Sequence, residues 1–293
     1  LHKRGVMNIL SIQSHVSYGY VGNKAATFPL QSMGFEVWPV NTVQFSNHTG
    51  YGHWQGDIFS AEHIRAVIQG LVTLGLAKQC QAILSGYIGD KAIGKVIIES
   101  VQQFRQFNPE LIYLCDPVMA TPNSKACFVK ADIPDFFRQH SLDTATIITP
   151  NHFEAELLYG GKINHLNELK QASDFFHHKG VRIVIVTSLL LKENNELNRF
   201  EPIAFLSSSE GQWLASAPKV KPNLTINGTG DLFSALYLGH FLLTQDPVIA
   251  FTLAINKTHQ IIEATQTAKQ RELNILAHDY KQAAPDYVML KKL

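Results

Sequence analysis

Cysteine is scarce in this chain. Only Cys80, Cys115 and Cys127 occur, with no CxxC pair among them. That pattern argues against a disulfide framework or a structural zinc site and suits a reducing compartment, most simply the cytosol. An excess of either charge is also missing. Lys plus Arg number 25 and Asp plus Glu 24, a formal charge of +1. Such balance offers no electrostatic footprint for nucleic acid or for a membrane surface. No uninterrupted apolar run reaches the roughly 18 residues that a membrane span needs. Thirteen histidines show no HExxH spacing, and no GxSxG elbow exists for a serine hydrolase. Ser14 and His15 are adjacent, so they cannot pair as a nucleophile and its base. The Asn-x-Ser/Thr matches at Asn47, Asn223 and Asn227 would matter only in a secreted protein, and nothing else points to secretion. Residues 1–6 are basic but precede no apolar segment of signal-peptide length. They are expected to lie outside the fold as an extended start.

What remains is an ordinary globular composition, 45% apolar over 293 residues. At about 150 residues per domain the length suggests two units, but α/β folds often run this long as one. No linker, repeat or low-complexity tract interrupts the chain, so one domain over residues 7–293 is expected. Short apolar runs alternate with longer amphipathic ones. Strands are expected at 8–12, 37–45, 82–84, 111–114, 146–148 and 181–186. Helices are expected at 23–33 (despite Pro29), 61–78, 93–107, 153–158 and 166–178. The run at 181–186 is almost continuously apolar, as suits a strand buried on both faces of a parallel sheet. Two β-rich segments, 202–206 and 213–215, flank Ser-Ser-Ser-Glu-Gly and read as a hairpin. Three helices should follow, at 231–243, 248–265 and 272–281. The pattern predicts a mostly parallel, open α/β sheet with helices on both faces and one late hairpin. A TIM barrel is the rival, but it should keep alternating to the end.

Asn227-Gly-Thr-Gly-Asp231 opens a predicted helix. Two glycines let backbone N–H groups approach an anion at the helix's positive end. Asp231 would cap the helix, but an anionic side chain beside an anion cradle is wasteful unless it works. Taking a proton from a hydroxyl that attacks a phosphate is such work. Gly89 to Val96 matches the GxxxxGK spacing of a P-loop, yet Val96 stands where a Mg²⁺-binding hydroxyl belongs. Lys95 is therefore expected on a helix surface. Asp116 follows a strand, at the sheet edge where doubly wound folds bind ligands. Asn151 and Glu154, three apart, read alone as a capping box. Together, an anion loop and two acidic groups at separate strand ends suit a Mg²⁺–nucleotide site.

These residues resemble a known family. Thr149-Pro-Asn-x-x-Glu154, followed by Gly228-Thr-Gly-Asp231, is similar to the ribokinase-like superfamily of small-molecule kinases. The stretches 11–23, 38–49, 84–87 and 115–118 resemble the pyridoxal kinases within it. The resemblance runs essentially from Met7 to the C-terminus. It implies ATP-dependent phosphorylation of the 5′-hydroxyl of pyridoxal, with pyridoxine and pyridoxamine as further acceptors, in vitamin B6 salvage. Asp231 would be the base, and Gly228 and Gly230 the anion hole. Ser14 and Thr49 would contact ring substituents, Tyr87 would pack on the ring, and Val21 and Val43 would line the apolar wall. Asp116 and Glu154 would organise Mg²⁺ and phosphates. Thr149, Thr187, Ala217, Pro218, Lys219 and Val220 would lie along ATP. The resemblance also implies a homodimer and admits a monovalent cation such as K⁺. Cys127 would lie near the vitamin, either adding its thiol to the aldehyde or simply packing. The sequence departs from relatives in lacking the paired glycines of sugar kinases, in having Thr187 where some bacterial relatives carry Lys, and in having Ala120 where several have Gly. The rival functions are a hydroxymethylpyrimidine kinase and a non-catalytic B6-binding protein.

Overall fold

Alternation along the first strand sets the architecture. In β1 (Asn8–Val16), Leu10 and Ile12 enter one buried cluster while Ile9 enters another on the opposite face. A sheet buried on both sides follows, since successive side chains point to opposite faces. The computed structural model describes residues 6–121, 127–192, 200–218 and 226–293. After β1 the chain forms α1 (Asn23–Ser32), β2 (Glu36–Phe45), β3 (Gly56–Ile58), α2 (Ala61–Thr73) and β4 (Cys80–Ser85). Then come α3 (Lys91–Phe107), β5 (Ile112–Cys115), α4 (Ile133–Phe136), β6 (Ile147–Ile148), α5 (His152–Tyr159), α6 (Leu166–His178) and β7 (Ile183–Thr187). The antiparallel pair β8 (Phe200–Ser208) and β9 (Gly211–Pro218), helices α7 (Thr229–Thr244) and α8 (Pro247–Thr267), and β10 (Met289–Lys292) complete it.

The ten strands lie in the order β10-β9-β8-β7-β6-β5-β4-β1-β2-β3. The six from β7 to β2 are mutually parallel; β3, β8 and β10 each run antiparallel to their neighbours. The sheet is open, which removes the barrel alternative. Helices α2 to α6 cover one face, and α1, α7 and α8 cover the other. The chain steps from β1 outward to β2, then returns to place β4 on β1's other side. That reversal opens a crevice at the carboxyl ends of β1 and β4, where such folds take their ligands. None of the helices among the described residues is long and apolar enough to cross a membrane.

Three expectations need correction. The helix expected at 61–78 stops at Thr73, because Gly75 turns left-handed (φ +75°) before a short 3-10 turn at Leu76–Gln79. No helix forms at 272–281. There the buried residues Leu273 and Ile275 are two apart, a spacing a helix would place on different faces. The segment is instead tied down by bonds such as Tyr280 Oη to the Ile275 carbonyl, 2.7 Å. Lastly, β3 and β10 were not expected; each is only three or four residues long.

Candidate active site

Gly228 caps α7 in a left-handed conformation, φ +82°. A Cβ there would sit 1.9 Å from the Tyr20 carbonyl oxygen, so only glycine admits this close approach. The turn thereby brings the α7 N-terminus against the loop that follows β1. Asp231, in the first turn of α7, is reached by the Gly22 N–H. Burial pushes its carboxyl up to about 6, and the Gly22 bond opposes that rise. Gly22 is itself left-handed (φ +54°), and a Cβ on it would lie 2.1 Å from the Ser14 carbonyl oxygen and 2.4 Å from Ser14 Oγ. Ser14, Gly22 and Asp231 thus form one contiguous wall.

The acidic side of the site is built by hydroxyl relays and a cap. Asp116 follows β5, and its Oδ2 accepts from Ser234 Oγ at 3.0 Å. Ser234 Oγ in turn lies 2.8 Å from Thr149 Oγ1. A Cβ on Gly230 would stand 4.0 Å from Asp116 Oδ2, so this carboxylate faces the glycine loop. Burial drives the Asp116 carboxyl well above its ordinary range, and the charges of Glu154 and Asp231 add to that. At Asn151 and Glu154 the capping box does form. Glu154 Oε1 accepts from Met119 N (2.8 Å) and Ala120 N (3.1 Å), and Oε2 accepts from Asn151 N (2.8 Å). Those three bonds leave one of about four acceptor sites on the carboxylate. Burial raises Glu154 to about 7 against the pull of the three N–H groups.

Asp231 raises the carboxyls of both Asp116 and Glu154, and Glu154 adds to Asp116, a charge excess that a cation would relieve. Among the described residues no group of three His, Cys, Asp or Glu could by itself cage a metal. The arrangement fits Mg²⁺, which needs only one or two carboxylates beside phosphate and water.

The remaining expected residues fall in three places. Val21 Cγ1 lies 3.3 Å from the position a Gly228 Cβ would take, and the 3-10 turn beginning at Thr49 lies beside Asn227. Val43 and Tyr87 converge across Gly89, and the Tyr87 ring is tilted against Phe128 with centroids 6.2 Å apart. Thr187 ends β7 and bridges to Asn151, while Ala217 and Pro218 end β9, which runs in the same direction as β7. Lys219 and Val220 lie outside the described residues. Half-buried Cys127 has its thiol pushed up by burial and then by Glu154, which disfavours the thiolate.

Sequence reasoning missed Gly22 and Ser234. Ser234 stands three residues after Asp231, on the same helix face, which was the available signal. The P-loop look-alike is fully accounted for by packing. Asp90 caps α3, a Cβ on Gly94 would meet the Phe136 ring at 2.3 Å, Lys95 is exposed and Val96 is core. Lys95→Ala is expected to leave ATP affinity within about twofold, as for a surface change. Titration of the variant with a fluorescent ATP analogue checks this, and a large loss would revive the P-loop.

The model of the phosphomethylpyrimidine kinase family matches residues 47–275. A relative from Rubrobacter xylanophilus, named pyridoxal kinase PdxY, is 41% identical over 96% of this chain and 95% of its own. Among solved structures, the pyridoxal kinase of Leishmania donovani with ADP and ginkgotoxin superposes with a TM-score of 0.87 at 30% identity, covering 98% of this chain and 99% of that one. The same kinase with ADP and pyridoxamine gives 0.87 at 28% identity over the same shares.

Proposed function

The chain belongs to the phosphomethylpyrimidine kinase family and within it to the pyridoxal kinases, and from that premise we propose that it transfers the γ-phosphoryl group of ATP to the 5′-hydroxyl of pyridoxal, and also of pyridoxine and pyridoxamine. The observation that carries this reading is Asp231, half-buried at the Gly228 turn and joined through Gly22 to Ser14. A binding protein has no use for a base held there.

Ser14 and Thr49 hold the ring substituents, Tyr87 covers the ring, and Val21 and Val43 keep water from it. Asp231, ionised, accepts the proton of the 5′-hydroxyl as its oxygen attacks. The N–H groups around Gly228 and Gly230, at the positive end of α7, hold the charge that develops on the transferring group. Ser234 fixes the Asp116 carboxylate toward that loop. When bound with the nucleotide, Mg²⁺ supplies neutralisation of phosphate charge, and Asp116 and the free acceptor site of Glu154 are the groups that would hold it. Thr149, Thr187, Ala217, Pro218, Lys219 and Val220 lie along ATP. Catalysis is then chiefly positioning and charge stabilisation.

The reading takes residues 7–293 as one kinase domain, supported by a single sheet that uses Asn8 at one end of the chain and Met289 near the other. It extends to a homodimer working in the cytoplasm and to a monovalent cation such as K⁺, on the strength of the family resemblance. An assay with ATP, Mg²⁺ and each of pyridoxal, pyridoxine, pyridoxamine and hydroxymethylpyrimidine, read by the phosphate ester formed, tests it. Turnover of the pyrimidine with none of the three vitamers would overturn the substrate assignment.

Cys127 belongs to the packing of this pocket. With its thiol pushed up, Cys127→Ala should change pyridoxal and pyridoxine binding alike, by less than about threefold, as for a small half-buried residue. Calorimetric titration of both vitamers decides it. A loss confined to pyridoxal would show thiol addition to the aldehyde carbon, the thiol proton passing to its oxygen.

A further inference from the structure

The segment after α8 carries a cluster that the reaction does not use directly. Glu272 Oε2 accepts the Tyr20 N–H at 3.1 Å, and Oε1 accepts the Tyr51 hydroxyl at 2.5 Å. These two bonds span 252 and 221 residues of chain. The neighbouring Arg271 lays its guanidinium 3.6 Å over the Tyr51 ring and donates to the Gly50 carbonyl at 2.9 Å. Gly19 is left-handed (φ +90°), and a Cβ on it would meet Glu272 Oε2 at 2.2 Å, so the glycine makes room for the carboxylate. Burial, with Glu272 beside it, raises the Tyr51 hydroxyl to about 12, keeping it a donor.

Both partners of Glu272 adjoin the site. Tyr20 is held by Glu272 at its N–H, while its carbonyl oxygen, in the next peptide group, occupies the space beside Gly228. Tyr51 closes the short turn that Thr49 begins, and Gly50 in that turn lies beside Asn227. One carboxylate therefore holds the turn that carries Thr49 and the loop that seats the glycines of α7.

We propose that Glu272, braced by Arg271, is a positioning residue that locks the Thr49 turn and the Tyr20 loop in register with the Gly228 turn, and so sets how the vitamin's alcohol is presented to Asp231. The proposal rests on the phosphotransfer reading above. It predicts an effect on the alcohol rather than on the nucleotide, because among the described residues Glu272 bonds to the Tyr20 loop and the Thr49 turn and not to the Asp116 and Thr187 end of the site.

Glu272→Ala should raise KM for pyridoxal about 10-fold or more, as expected for losing two bonds to a carboxylate, with KM for ATP within about twofold. Glu272→Gln should restore KM to within about threefold, because an amide can still accept from Tyr20 N–H and donate to the Tyr51 hydroxyl. In hydrogen exchange of the nucleotide-free protein, peptides covering 17–22 and 48–52 should exchange about 10-fold faster in Glu272→Ala, and those covering β5 and α5 should not. An unchanged pyridoxal KM in an active enzyme overturns the proposal. So does a parallel rise in both KM values that Gln does not rescue, which marks a general structural prop. A parent protein inactive on every vitamer would count against the phosphotransfer reading, and exchange in the two turns would still support or overturn the clasp.

Discussion

Asp231→Asn is expected to lower kcat by about 10²–10⁴, the usual cost of removing a general base, with KM for ATP little changed. The amide keeps the shape and can still accept the Gly22 N–H through its oxygen, so the wall from Ser14 to α7 should stand. What is lost is the capacity to take the proton. The parent should also show an acid limb. Burial places the Asp231 carboxyl at about 6, above the ordinary carboxylate range. Below that pH the group is protonated and idle, so kcat/KM for pyridoxal should rise with pH through about 6 and then level. Glu154, raised to about 7, titrates nearby and should broaden this limb. In the Asn variant the limb at about 6 should disappear from whatever activity remains. An Asn variant within a few-fold of the parent, measured where phosphoryl transfer limits the rate, would remove Asp231 from the base role.

The proposed base could be singled out before the fold because its signal is local. Two glycines, an acid and an apolar helix follow one another within nine residues, and the physics of a helix N-terminus acts over the same distance. The parallel sheet was legible for a similar reason: β7 has four buried apolar residues in sequence, Ile183 to Val186. Asn151 and Glu154 could be read as a cap or as a metal-side pair. The structure forms the cap, and the cap itself draws the Met119 and Ala120 amides into the site. Other features were hidden because their causes are distant in the chain. Nothing near residue 272 announces that its partners are Tyr20 and Tyr51, and Glu272 followed by Leu273 looked like the start of a helix. Gly94 imitated a phosphate-loop glycine when its cause was the Phe136 ring, 42 residues on. β10 is too short to carry a periodic signal and forms because β9 offers it an edge.

The glycines of the proposed anion loop separate architecture from chemistry. In Gly228→Ala the new Cβ would lie 1.9 Å from a backbone oxygen, that of Tyr20, which cannot swing aside like a side chain. An L-residue held left-handed costs a further 1–2 kcal/mol or so. The α7 cap must shift, and Asp231, three residues on, shifts with it. Both the melting temperature and kcat should fall, the latter by about 10² or more, because misplacing a reacting group by about 1 Å already costs that much. Gly230 differs. It has no left-handed conformation, and the nearest atom to its Cβ would be Asp116 Oδ2 at 4.0 Å, an ordinary contact. Gly230→Ala should therefore melt with the parent or slightly above it, since Ala favours helix over Gly by up to about 1 kcal/mol. Its methyl group would stand between the glycine loop and the Asp116 carboxylate, where the transferring group is expected to pass. A loss of about 10² in kcat at unchanged stability is the expected outcome, comparable to removing one donor from an oxyanion hole. Thermal melts and steady-state kinetics of the two variants side by side make the comparison. If Gly230→Ala kept full activity, the space between the loop and Asp116 would not be the path of the phosphoryl group, and the assignment of Asp116 to the nucleotide side would fall with it.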